Sequence, residues 1–149
     1  GTQALGKIPV SVENIDLFAC TAHKLYGPKG IGALYVRKKK PRVRIVPFIH
    51  GGSQEDGKRG GTLNVPGIVG FGKAAEIAKN EMLDEAARLS KLRDKLESSL
   101  CQIEETYING NVDNRMPHVS NISFKHVEGE GLMMTFNQNI AVSSPSSLI

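Results

Sequence analysis

Three side chains close together in this chain could take part in covalent chemistry: the hydroxyl of Thr21, the imidazole of His23 and the amine of Lys24. An amine forms an imine with a carbonyl only when unprotonated, and a partly desolvated pocket depresses a lysine's pKa toward that state. The flanking sequence sets the three at the tip of a strand. Ile15 to Cys20, apolar but for Asp16, reads as a buried strand. Gly27-Pro28-Lys29-Gly30 is a rigid turn signal, and a second apolar run, Ile31 to Val36, follows it. In an extended segment Thr21 and His23 face one side and Ala22 and Lys24 the other; a turn at the strand's end would gather all three. On local features alone, a solvated loop lysine and a packed histidine fit the same residues, and short motifs recur by chance.

The elements around this point follow from simple patterns. Gly32 to Val36 and Val43 to Phe48 are predicted to form a hairpin joined by Arg37 to Arg42. Six of the eight residues from Arg37 to Arg44 are basic, a run that would suit phosphate neutralisation in nucleic-acid binding. No aromatic stacking residues are interleaved, and Arg42 and Arg44 alternate with Val43 and Ile45 as on a solvated edge strand. No nucleic-acid partner is therefore expected. His50 to Thr62 is a glycine-rich loop, a form that lets backbone approach a ligand or another subunit. Gly67 to Leu100 is predicted to be a long helix, with Met82, Ala86, Leu89, Leu92, Leu96 and Leu100 as its apolar stripe. Asn64 is its expected cap, Pro66 a first-turn proline, and Asp84 and Arg88 an expected ion pair. Ile68 to Ala78 is apolar on more sides and is expected to be buried.

From Cys101 onward the pattern is α+β. Tyr107 to Gly110 reads as a strand entering an Asn-Gly turn, and His118 to Lys125 as a second strand with Val119, Ile122 and Phe124 inward and an irregularity near Asn121. Glu128 to Gly131 should open a helix over Leu132 to Phe136. Composition is that of an ordinary globular chain, with 40% hydrophobic and 23% charged residues and a net charge of +4. No apolar run is long enough to span a bilayer, so no membrane partner is expected. Cys20 and Cys101 stand far apart, Cys20 expected to be buried, and neither these nor His23, His50, His118 and His126 show ligand spacing; no metal site is predicted.

Residues 21 to 36 resemble the lysine segment of NifS-like cysteine desulfurases, pyridoxal-phosphate enzymes of the class V aminotransferase group. Gly51 to Thr62 resembles that family's Gly-rich Gln-Glu…Arg-x-Gly-Thr stretch, with Ser53 where a third glycine is usual. Thr2 to Lys7 resembles its Asp-Ala-x-Gln segment. The resemblance implies an α/β fold: part of a fold-type I pyridoxal-phosphate large domain, with a mixed, mostly parallel sheet, over residues 1–82, then part of a small α+β domain over 83–149. It implies that Lys24 holds pyridoxal 5′-phosphate through an imine and then shuttles a proton. Thr21 and His23 would bind the phosphate, His23 alternatively relaying a proton near the imine, and Gln3 would bind the ring hydroxyl. Thr62 would reach the cofactor phosphate of the other subunit of a homodimer, with Arg59 supporting its loop through a carboxylate such as Glu55.

The implied activity converts L-cysteine to L-alanine and an enzyme persulfide, passed to a sulfur acceptor for iron–sulfur assembly or tRNA thiolation. The implied compartment is the cytoplasm, or the mitochondrial matrix in a eukaryote. The family's aspartate partner of the pyridinium nitrogen would precede Gly1, and Pro145-Ser146-Ser147-Leu148 stand where its Gly-Ser-Ala-Cys, with the nucleophilic cysteine, would follow Ala141-Val142-Ser143-Ser144. The chain thus reads as a fragment of a longer enzyme, inactive by itself. A selenocysteine lyase or another class V enzyme, and a non-catalytic module without the nucleophile, stay open as alternatives.

Overall fold

In a computed structural model, residues 1–136 and 138–143 are described. Two compact units emerge, one of residues 1–90 with 116–118, the other of 91–115 with 119–149. Strand β1, Leu17–Thr21, opens the first unit's sheet, and β2, Gly32–Val36, pairs with it antiparallel from Leu17↔Val36 to Thr21↔Gly32. Helix α1, Val65–Leu100, contributes to both units. In the second unit β3, Thr106–Ile108, pairs antiparallel with β4, Ile122–Phe124, and α2 follows over Gly129–Phe136.

Several expectations change. The partner of β2 is β1, not Val43–Phe48, because the tight turn after Leu25 brings the two apolar runs together first. Asp16 and Arg37 close the open end of this pair through an ion pair and a backbone bond of 3.0 Å from Arg37 N–H to the Asp16 carbonyl. Residues 43–48 carry no strand hydrogen bonds, although Val43, Ile45 and Pro47 still alternate inward with exposed Arg44 and Val46. A two-stranded sheet leaves β1 half covered rather than buried, and Cys20 is half-buried, its thiol 3.6 Å from the Ala33 carbonyl.

Helix α1 starts at Val65, two residues before the expected onset, and Asn64 caps it: Oδ1 accepts from the Gly67 N–H at 3.1 Å. Its packing seam is made of small residues four apart, Gly70, Ala74 and Ala78. Pro28 lies against Gly70, where a Cβ would meet it at 2.6 Å. A Cβ on Gly27 would stand 3.0 Å from Ala74, and one on Gly6 would stand 2.9 Å from Ala78. Small side chains let the loop approach the helix closely, and the larger Ile68, Val69 and Ile77 on other faces stay 41%, 66% and 44% exposed rather than buried. Arg88 forks both oxygens of Glu85 at 2.7 Å; the longer glutamate one turn back outcompetes Asp84.

Gly6 has φ +71°, and an added Cβ would stand 2.4 Å from Leu25 Cδ2. Gly6→Ala is expected to cost about 2 kcal/mol in denaturant unfolding, from backbone strain and crowding together. A neutral result would show that the 1–8 turn does not pack on Leu25.

In the second unit the strand over 118–125 shortens to Ile122–Phe124, and Val119 is 46% exposed rather than inward. The irregularity at Asn121 is a side-chain ladder: Asn109 Nδ2 donates to Asn121 Oδ1 at 2.8 Å and to Ser123 Oγ at 2.7 Å. Glu128 caps α2, accepting from the N–H groups of Glu130 at 2.9 Å and Gly131 at 2.6 Å. Those two backbone donors hold its carboxyl below the ordinary glutamate range. The family-like stretch Ala141-Val142-Ser143 is irregular here, and Ser144 to Leu148 lie outside the described residues.

Candidate active site

Strand β1 ends at Thr21, and the chain at once winds into a single 3-10 turn over Ala22–Leu25. In that turn Ala22 and Leu25 point inward, 0% and 4% exposed, while His23 and Lys24 point outward. The turn closes with the Gly27 N–H donating to the Ala22 carbonyl at 2.9 Å, and Tyr26 takes a left-handed φ of 62° to end it. This settles the question left by strand periodicity. Two apolar residues three apart anchor the turn, and the residues between them are presented together on its outer side.

Thr21 Oγ1 and His23 Nδ1 lie 3.0 Å apart, and the same hydroxyl lies 3.3 Å from the Ile31 carbonyl. A hydroxyl has one proton. Donated to Ile31, it leaves the Thr21 oxygen to accept from Nδ1–H, and Nε2 becomes the ring's available lone pair. The Lys24 amine is exposed and has no hydrogen-bond partner among the described residues. The structure therefore brings Thr21 and His23 into contact and sets Lys24 beside them on one turn.

Gln3 is exposed on a helical turn over the first eight residues. That turn runs beside β1, with Thr2 Oγ1 3.5 Å from the Ala19 carbonyl. Thr62 is exposed two residues before the Asn64 cap. Neither makes a hydrogen bond to Thr21, His23 or Lys24 among the described residues.

The glycine-rich loop is held by its own backbone. Gly60 is buried, its N–H donates to the Ile49 carbonyl at 3.1 Å, and a Cβ on it would stand 2.7 Å from Gly51. Gln54 Oε1 accepts from the Gly61 N–H at 3.1 Å. Arg59 donates to the Gly60 carbonyl at 3.0 Å, so a backbone oxygen takes the place expected for Glu55. The carboxylate that matters in this loop is Asp56, 3.2 Å from Lys58 and 3.4 Å from Lys38. Hydrogen bonds from Lys58 and then Lys38 hold it below the ordinary aspartate range. Between this loop and the basic strap lies an open cavity of about 470 Å³, lined by Lys38, Arg42, Arg44 and Lys58 with apolar Val43 and Ile45. Lys24 is not part of its wall.

This arrangement of strand, lysine turn, glycine loop and long helix is an α/β fold shared with NifS-like proteins. One solved structure described as a NifS-like protein superposes with a TM-score of 0.84 at 41% identity, covering 93% of this chain and 37% of the other. A NifS-like protein from Rickettsia africae gives 0.87 at 30% identity, over 96% and 40%. The chain belongs to the class V aminotransferase family, whose sequence model matches residues 1–147. Among curated relatives, the cysteine desulfurase IscS of Haemophilus influenzae (strain PittEE) is 54% identical over 148 residues, and that of Serratia proteamaculans is 51% identical. In both cases 98% of this chain is covered but 36% of the relative, so the chain spans about a third of their length. No helix among the described residues is long and apolar enough to cross a membrane.

Proposed function

We propose that this chain carries the lysine-bearing part of a pyridoxal phosphate site in a cysteine desulfurase. The whole protein would convert L-cysteine to L-alanine while a protein thiol takes up the substrate sulfur as a persulfide, then hands it to an acceptor protein. One observation carries the reading: Thr21, His23 and Lys24 stand together at the end of β1, on a turn anchored by Ala22 and Leu25.

The residues fit the cofactor's chemistry. Phosphate oxygens only accept, so on binding Thr21 would turn its hydroxyl proton from the Ile31 carbonyl to the phosphate. With the ring of His23 in its other tautomer, Thr21 would instead give that proton to Nδ1 while Nε2–H donates to the phosphate. An exposed amine suits an aldehyde, and the amide of Gln3 suits a ring hydroxyl. When bound, pyridoxal phosphate supplies an electron sink for chemistry at the substrate's α-carbon. In this reading Lys24 holds the cofactor covalently and, once released, carries a proton. Thr21 binds phosphate, and His23 binds phosphate or relays a proton through Nε2. Thr62 reaches the phosphate bound by a partner subunit in a homodimer. The passage from large to small domain falls within α1, residues 1–82 belonging to the former and 83–149 to the latter. A cytoplasmic setting accords with two free cysteines.

Pyridoxal phosphate added to the protein is expected to give a saturable visible absorption band that L-cysteine alters at millimolar or lower concentration. A band that L-cysteine leaves unchanged while another amino acid alters it would overturn the substrate assignment. No saturable band at all would overturn the site.

A further inference from the structure

We propose that Lys7 and Tyr26 form a brace that holds the Lys24 turn in the orientation its chemistry needs, which makes both of them positioning residues of the site. The proposal rests on the reading of Lys24 given above. Lys7 Nζ lies 3.1 Å from Tyr26 Oη and 4.3 Å from the centroid of the Tyr26 ring. One ammonium thus donates to the phenol oxygen while its charge faces the ring, two attractions that fix the ring from one side.

Tyr26 needs such a hold. It is 86% exposed and so gains little from burial, yet it takes a left-handed backbone that a non-glycine residue seldom adopts. That backbone ends the 3-10 turn and lets the Gly27 N–H reach the Ala22 carbonyl. Lys24 lies two residues before it, so the direction of the Lys24 side chain depends on where the turn stops.

The other end of the brace is itself fixed. Gly6, with φ +71°, is wedged between Leu25 and Ala78, so the residue that carries the ammonium is seated against both the turn and α1. The Lys7 charge also reaches Glu85 on α1: that carboxyl is held below its usual range first by the Arg88 fork and, more weakly, by Lys7. The N-terminal turn and the Lys24 turn therefore meet at one ammonium. Nothing in the covalent chemistry itself calls for a lysine at position 7.

The test uses Lys7→Met, Lys7→Arg and Tyr26→Phe in the full chain. In the protein without cofactor, Lys7→Met is expected to speed hydrogen exchange of the Gly27 amide by about three- to fivefold, the size of an exposed cation–π contact. The rate at which added pyridoxal phosphate becomes reducible onto Lys24 should fall by a similar factor. Lys7→Arg, which keeps both charge and donors, should restore both values, and Tyr26→Phe, which keeps the ring, should fall between. Unchanged Gly27 exchange and unchanged Lys24 reactivity in Lys7→Met would overturn the brace, as would a uniform rise in exchange across residues 1–90. A Gly27 response in a protein whose Lys24 never reacts would uphold the brace and overturn the reading of Lys24.

Discussion

Glu97→Ala is expected to destabilise the second unit by about 2 kcal/mol, the loss of charge-assisted hydrogen bonds to a partly covered guanidinium. Glu97 is 3% exposed, and Arg115 forks both its oxygens at 2.6 Å. Ser120 Oγ adds a third bond at 2.7 Å. The network ties α1 to the loop that precedes β4. Truncating the carboxylate leaves the Arg115 guanidinium, 16% exposed, facing a void with its charge uncompensated. Asp94, 3.8 Å away and itself bound by Arg93, is a poor substitute. Denaturant unfolding followed by circular dichroism would measure the loss; a change below about 1 kcal/mol would mean the fork is solvated rather than buried.

The same pair sets an acid dependence. The Arg115 fork, opposed by lost hydration and helped by Ser120, holds the Glu97 carboxyl below the ordinary 4.5. A carboxyl whose folded pKa lies below its unfolded one contributes its stability in full above the unfolded value and loses it as pH falls through the folded value. Stability should therefore decline as pH drops below about 4.5, and Glu97→Gln should flatten that part of the decline.

Lys24→Ala is expected to remove covalent capture of pyridoxal phosphate entirely, together with any response to L-cysteine. Thr21 and His23 would remain in contact, because their bond and the Ile31 carbonyl bond involve no atom of Lys24. The variant should therefore keep its fold and weak binding of the phosphate group while losing the aldehyde reaction. Equilibrium dialysis and absorbance together separate the two. A Lys24→Ala protein with an undiminished, saturable visible band would place the reactive amine elsewhere.

Much of this was legible in the residues because the deciding interactions are local. The Asn64 cap lies within three residues of the N–H it binds, so type and spacing sufficed. Glu128 was read only as part of a four-residue opening, and α2 starts inside that opening at Gly129. The turn after β1 was marked by Gly27-Pro28, but the burial of Ala22 and Leu25 that sets the conformation of 22–25 was not, because strand periodicity puts Ala22 on the same side as Lys24. Hidden features depended on competition between partners far apart in sequence. Val43–Phe48 has strand periodicity, but periodicity cannot say which edge is free, and β1 reached β2 first. Arg115 and Glu97 are eighteen positions apart, and nothing in either residue's neighbourhood names the other. Arg88 had two carboxylates within reach, and the choice of Glu85 rested on side-chain length. The Gly70, Ala74 and Ala78 seam did leave a signal, small residues at four-residue spacing, but an apolar count weights it toward the larger neighbours that stay exposed. The contact of Lys7 with Tyr26 left none, since nineteen positions separate the two and nothing in either neighbourhood names the other.

The central claim is that one amine, at position 24, reacts with an aldehyde cofactor where a threonine and a histidine meet. Borohydride reduction after adding pyridoxal phosphate, followed by peptide mapping, tests it most directly. The label should appear on Lys24 alone among the chain's twelve lysines, at one equivalent per chain. Label spread over the exposed Lys38, Lys39 and Lys40, with Lys24 no more reactive than they are, would contradict the assignment.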